Sequence, residues 1–77
     1  MIIWDPGFEA KLHHLRAWTD AVAICEGVIR FHDQGEGRLV RVGRFHRLYV
    51  AGFVVALEIN RAAETVTALD YERAPRR

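Results

Sequence analysis

The sequence predicts an α+β domain: a short N-terminal strand, a helical hairpin, then an antiparallel three- to four-stranded sheet with the helices on one face. Three observations predict it. Ala21, Ile24, Val28 and Phe31 recur at helical spacing in the first half. From Arg38 onward the apolar period changes to two. The stretch RFHRLYVAGFVVALEINRAAETVTALDYER, Arg44 to Arg73, holds three runs rich in Val, Ile, Leu, Phe and Tyr, interrupted by Ala51-Gly52 and by Asn60-Arg61-Ala62-Ala63. That is the pattern of a three-strand antiparallel meander. The 77 residues make one domain, 1–77. A chain this short buries only about 60% of its unfolded surface, so each core side chain carries a large share of its stability.

The elements follow in order. Met1 to Trp4 is apolar and too short to stand alone, as expected of an edge strand laid on the meander. In Asp5-Pro6-Gly7 the carboxylate can cap the first turn, and Pro6 suits the first helical position because its missing N–H would have had no partner there. Phe8, Leu12 and Leu15 then form an apolar stripe. Thr19 or Asp20 is the cap expected for a second helix, which meets the first near Trp18; helices of about 10 to 14 residues are typical. Val22, Cys25 and Ile29 widen its apolar face, as in a helix packed between a sheet and another helix. Gly27 marks close packing against a neighbour, and Asp33-Gln34-Gly35-Glu36-Gly37 ends the helix. Arg38–Val42 is either a short strand or an extended lead-in.

Hydrophobic residues form 51% of the chain and charged residues 27%, a globular balance. Cys25 is the only cysteine, which excludes an intrachain disulfide and a thiolate zinc site and suits a reducing, cytoplasmic compartment. No run of roughly 18 uncharged apolar residues marks a membrane span. Net charge is +1, but from Gly37 to Arg47 there are four arginines and His46 with no acid, and Arg73, Arg76 and Arg77 add to the basic second half. The adjacent His13 and His14 do not form a metal-ligand spacing, and neither a metal nor a cofactor is expected.

Registering the turns separates two faces. A two-residue turn at Ala51-Gly52 pairs Val50 with Phe53, Leu48 with Val55 and His46 with Leu57. A four-residue turn after Ile59 pairs Ile59 with Glu64, Leu57 with Val66 and Val55 with Ala68. Leu48, Val50, Phe53, Val55, Leu57, Val66 and Ala68 then form the core side. The opposite face carries Phe45, Arg47, Tyr49, Val54, Ala56, Glu58, Thr65, Thr67, Leu69 and Tyr71. Aromatic residues with arginine are enriched at protein interfaces and on surfaces that bind single-stranded RNA, so this face is the expected site. His46 reads as a boundary histidine before a catalytic base, and Cys25 as core. The arginines at every third position read equally as a solubilising edge or as contacts to RNA or an acidic protein.

The run RLYVAGFVVALEINRAAETVTALDYER resembles the second half of the RelE/ParE superfamily of small bacterial type II toxins. The opening MIIWDPGFEAKLHHL is similar to the family's first strand, capped turn and first helix. The resemblance covers most of the chain as a pattern, without an invariant catalytic signature. It implies a single RelE/ParE-like domain and one of two activities, ribosome-dependent mRNA cleavage or poisoning of DNA gyrase. It also implies a cognate antitoxin as partner. For cleavage, it implies that sheet cations hold the scissile phosphate while an aromatic or acid–base residue near the last strand assists the 2′-hydroxyl. The matching positions are Arg44, Arg47, Tyr71 and Arg73 as catalytic residues, with Arg41, Phe45, Tyr49, Val54 and Leu69 as binding residues. Two departures weigh against catalysis: Phe53-Val54-Val55 stands where ribonuclease members usually carry an arginine, and the chain ends at Arg77 without the tail that often completes the site. The alternative is a non-catalytic inhibitor on this scaffold, such as a phage-encoded anti-defence protein. It would bind a host protein complex through Tyr49, Val54, Leu69, Tyr71 and the arginines. An oligomer is compatible with either reading.

Overall fold

The computed structural model describes residues 1–75. Arg76 and Arg77, counted above with the basic end of the chain, lie outside the described residues. The order is β1 (Ile2–Trp4), α1 (Pro6–Leu12), α2 (Trp18–Gln34), β2 (Arg38–Val42), β3 (Phe45–Val50), β4 (Phe53–Asn60) and β5 (Thr65–Arg73). The predicted α+β class, with helices on one face of the sheet, is observed. Arg38–Val42 is a strand, so the sheet has five strands in the order β1-β5-β4-β3-β2. It is mixed rather than purely antiparallel, because β1 lies parallel to β5, with Ile2 beside Val66 and Trp4 beside Ala68. Two helices separate β1 from the meander, and such a long connection is what parallel pairing requires.

Asp5 caps α1 as expected: its Oδ2 accepts from the Gly7 N–H at 2.9 Å, and Pro6 holds the first turn. α2 begins earlier than the polar residues suggest. Its N-cap is Ala17, which offers no side-chain hydrogen bond, while Asp20 lies in the first turn where a carboxylate complements the helix dipole. Gly35 closes α2 in the left-handed conformation, φ 70°, with its N–H on the Phe31 carbonyl at 2.8 Å.

The first meander turn has the expected register, with Val50 opposite Phe53 and His46 opposite Leu57. Ala51 and Gly52 both have positive φ, 49° and 84°, as a type I′ hairpin demands. The second turn differs by one residue. Asn60 stays in the strand opposite Thr65, and its Oδ1 accepts from the Ala63 N–H at 3.1 Å, while Glu64 takes φ 54° to close the loop. Ile59 therefore meets Val66 instead of Glu64, and Leu57 meets Ala68 instead of Val66. The slip is two residues, so Val66 and Ala68 stay on the core side.

Beyond Ala68 the ladder breaks. The register shifts between Ala56 and Leu57: Leu57 faces Ala68, but Ala56 faces Asp70, which leaves Leu69 as the extra residue of a β-bulge. The bulge reverses every later side chain. Tyr71, expected on the open face, instead lies opposite Val55 on the core side and is only 6% exposed. The core comprises Phe8, Ile24 and Val28 from the helices against Leu48, Phe53, Val55, Leu57, Val66, Ala68 and Tyr71. Tyr71 meets Phe8 and Phe53 edge-on at 5.7 and 5.9 Å, and Phe8 stacks on Trp4 at 5.8 Å.

Gly27 packs against the sheet: a Cβ there would meet the methyl groups of Val50. The widened face of α2 is not sandwiched as expected. α1 has seven residues and α2 has 17, and at about 1.5 Å per residue the shorter helix cannot cover the longer one. Trp18, Val22 and Ile29 therefore stay exposed, and Cys25 is half-buried instead of core.

Candidate functional site

The open face of the sheet is assembled from alternate residues of four strands. β2 contributes Arg38, Val40 and Val42; β3 contributes Phe45, Arg47 and Tyr49, directly opposite them. β4 adds Val54 and Ala56, and past the bulge β5 adds Asp70 and Glu72. At its centre Arg47, Val54, Ala56, Asp70, Tyr71 and Glu72 line a shallow hollow of about 180 Å³. Val54 forms its floor and is 6% exposed although it faces away from the core, because Tyr49 and Glu72 flank it in the ladder. The Arg38 guanidinium lies 4.7 Å from the centroid of the Tyr49 ring, a cation–π contact that holds both side chains against the face.

The expected catalytic group does not come together. Arg47 alone of the four projects from the middle of this face. Arg44 occupies the turn between β2 and β3, its guanidinium 5.1 Å from the Phe45 ring. Arg73 pairs with Phe53 at the other end of the sheet, on the core-side surface, with its guanidinium 4.8 Å from the Phe53 ring. Six strand residues separate the two ends, about 20 Å at 3.3 Å per residue. Tyr71 is inside, and its hydroxyl donates to the Lys11 carbonyl at 2.9 Å.

Among the binding residues, Phe45 and Tyr49 are half-buried on the open face and Val54 is its floor. Leu69 is the half-buried bulge residue. Arg41 falls on the opposite side, level with His46, and its Nε donates to the Gly43 carbonyl at 3.0 Å. His46 lies on the core side as expected, and its Nδ1 is buried without a hydrogen-bond partner among the described residues.

The residues that sequence reasoning missed are Asp70, Glu72 and Lys11. A signal for the first two was present. Strict alternation from Val66 and Ala68 would drive Asp70 and Glu72 into the core and Tyr71 into water, and burying two carboxylates costs far more than one bulge. Asp70 accepts from the Lys11 ammonium at 2.9 Å and from the Tyr71 N–H at 2.8 Å. The Lys11 hydrogen bond, with help from the Tyr71 N–H, holds its carboxyl below the ordinary aspartate range despite partial desolvation. Arg47 thus shares its hollow with two carboxylates, which makes the centre of the face mixed in charge rather than basic.

A second hollow, about 280 Å³, lies between α1 and α2, lined chiefly by Leu12, Trp18, Ala21, Val22, Cys25 and Ile29 with Glu9, His13 and Glu26 at the rim. Burial first, and the nearby Glu9 carboxylate second, push the Cys25 thiol up from its ordinary value, so at neutral pH it is a neutral, weakly reactive group. Among the described residues, no helix is long and apolar enough to cross a membrane.

No protein-family model and no curated protein sequence matches the chain. Its fold is similar to that of the isolated E. coli RelE toxin seen by crystallography, with a TM-score of 0.74 at 10% sequence identity, covering 100% of this chain and 86% of that one. The chain therefore has a RelE-like fold, the α+β scaffold that its sequence pattern resembles.

Proposed function

We propose that this chain is a RelE/ParE-like toxin-type domain that acts by binding a protein target, in the translation machinery or on DNA gyrase, and is restrained by a cognate antitoxin. One observation carries the choice of binding over cleavage. Arg47, the single expected catalytic cation at the centre of the open face, shares its hollow with Asp70 and Glu72, while Arg44 and Arg73 lie elsewhere and the Tyr71 ring is turned to the core side. A phosphodiester entering that hollow would meet two carboxylates, one of them paired with Lys11, and their like charge, though screened by solvent, works against it. A protein partner can instead meet the same mixture with complementary ion pairs around the Tyr49 and Val54 platform.

The test pairs growth with RNA. Induced expression is expected to arrest growth of a bacterial host, with Arg47→Glu and Tyr49→Ala relieving the arrest, while ribosome-bound mRNA stays intact by primer extension. Altered supercoiling by purified gyrase assigns the target to gyrase, and unaltered supercoiling with arrested translation assigns it to the ribosome. Absence of growth arrest, together with capture of a host complex that Arg47→Glu abolishes, transfers the same face to the inhibitor reading.

Cleavage of mRNA on the ribosome is the second reading, favoured by the RelE-like fold and by the Arg38–Tyr49 pair, an arginine and aromatic surface suited to stacking RNA bases. Cleavage lost in Arg47→Ala would establish it in place of the first.

A further inference from the structure

The last strand of the sheet, β2, has no described strand beyond it. A two-residue turn, Gly43-Arg44, joins it to β3 and closes on the pair Val42 and Phe45. In such a hairpin the closing pair is hydrogen-bonded and the pairs alternate thereafter. Val42, Val40 and Arg38 therefore direct their backbone N–H and C=O groups to β3, whereas Leu39 and Arg41 direct theirs away from the sheet. Side chains on this edge are of two kinds. Val40 and Val42 are 37% and 43% exposed, and Arg38, Arg41 and Arg44 surround them with no acid from Gly37 to Arg47.

We propose that β2 is an acceptor edge for an extended, acidic segment of a protein partner, which adds antiparallel to it as a further strand. Backbone bonds to Leu39 and Arg41 would supply the pairing, and the side chains would supply the selection. Opposite Val42, Arg41, Val40, Leu39 and Arg38 in turn, the complementary segment reads apolar, acidic, apolar, apolar, acidic. A second copy of this chain fits poorly. A two-fold pairing centred on Val40 sets Arg38 against Val42 and Arg41 against Leu39, so no acid meets any arginine and like charge accumulates. This inference rests on the protein-binding reading above and adds the chemistry of the partner.

The test uses the full chain and a capped, fluorescein-labelled peptide, Ser-Ile-Glu-Val-Val-Glu-Ser, followed by fluorescence anisotropy and amide hydrogen exchange. The peptide is expected to bind and to slow exchange at the Leu39 and Arg41 amides by about tenfold or more, leaving Val40 and Val42 unchanged because β3 already holds them. N-methylation of the peptide's first Glu and second Val, which face the edge, is expected to abolish binding with its charge intact. Arg41→Pro removes the outward donor and is expected to abolish binding; Arg41→Gln keeps the donor and only weakens it. Raised salt also weakens it. Equal binding of the N-methylated peptide, equal binding of the Lys-for-Glu peptide, or no binding at all overturns the proposal. So does exchange at Leu39 and Arg41 that slows with protein concentration alone, which would assign the edge to self-association. The peptide assay contains neither ribosome nor gyrase, so growth arrest without peptide binding removes this inference alone, whereas mRNA cleavage removes the reading beneath it.

Discussion

Lys11 and Tyr71 exchange hydrogen bonds: the Lys11 ammonium donates to the Tyr71 carbonyl at 2.7 Å, and the Tyr71 hydroxyl donates to the Lys11 carbonyl at 2.9 Å. The same ammonium lies 4.8 Å from the centroid of the Tyr71 ring. β1 ends at Trp4, opposite Ala68, so the later part of β5 has no strand on that side, and Lys11 satisfies a carbonyl that would otherwise lack a partner. Tyr71 thus ties α1 to the end of β5. Tyr71→Phe is expected to lower stability by about 1 kcal/mol, the net value of one hydrogen bond, and to leave growth arrest unaltered. Tyr71→Ala removes the ring between Phe8 and Phe53 and is expected to cost about 3 to 5 kcal/mol, enough to unfold much of a small domain. Urea denaturation followed by circular dichroism measures both, and loss of activity in Tyr71→Phe at unchanged stability would favour a catalytic role for its hydroxyl.

Asp70 ties the open face to α1 and makes that tie sensitive to acid. Its native carboxyl holds a proton less tightly than the unfolded one, because Lys11 donates to it. The contribution is therefore fully present above the unfolded aspartate value, about 3.9, and is lost as pH falls through the lower native value. Its side chain is 63% exposed, so solvent screening keeps the effect small. Asp70→Asn is expected to lower the urea midpoint at neutral pH, with the difference from the natural chain closing in strong acid. A difference constant with pH would show that the Lys11 contact contributes nothing through charge.

Gly27 permits the closest approach of α2 to the sheet. A Cβ there would lie 2.7 Å from Cγ2 of Val50, well inside contact distance, and Val50 is β-branched with little freedom to turn away. Alanine would gain about 1 kcal/mol in helix propensity, but overpacking costs about 1 to 3 kcal/mol. Gly27→Ala is expected to destabilise the chain, and Val50→Ala in the same chain to recover part of that loss. A double-mutant cycle measures the coupling; additive effects would place the strain elsewhere.

Ala51 occupies a turn position that suits Gly or Asn. With φ 49° its Cβ crowds the following carbonyl, a strain of about 1 kcal/mol. Ala51→Gly and Ala51→Asn are both expected to raise the melting temperature without altering the open face, since nothing about the register of Val50 and Phe53 changes. A fall in melting temperature with either variant counts against the type I′ geometry.

Much of this architecture was determined by the sequence alone, because its causes are local. The Asp5 cap, the helical stripe of Ala21, Ile24 and Val28, the period of two after Arg38 and the Ala51-Gly52 turn each depend on residues within a few positions of one another. The core side of β3 and β4 followed from that turn. What only the tertiary structure decided depends on distant partners. The parallel pairing of β1, the exposure of Trp18, Val22 and Ile29 above a helix too short to cover them, and the side of the sheet on which Tyr71 falls are all of this kind. Leu69 shows the reason. A bulge of one residue leaves the local pattern almost unchanged, yet it reverses every side chain after it, exchanging a buried pair of carboxylates for a buried tyrosine. That exchange is favourable only because Phe8, Phe53 and Lys11 wait on the inner side, and it leaves Arg47 beside two acids on the outer one.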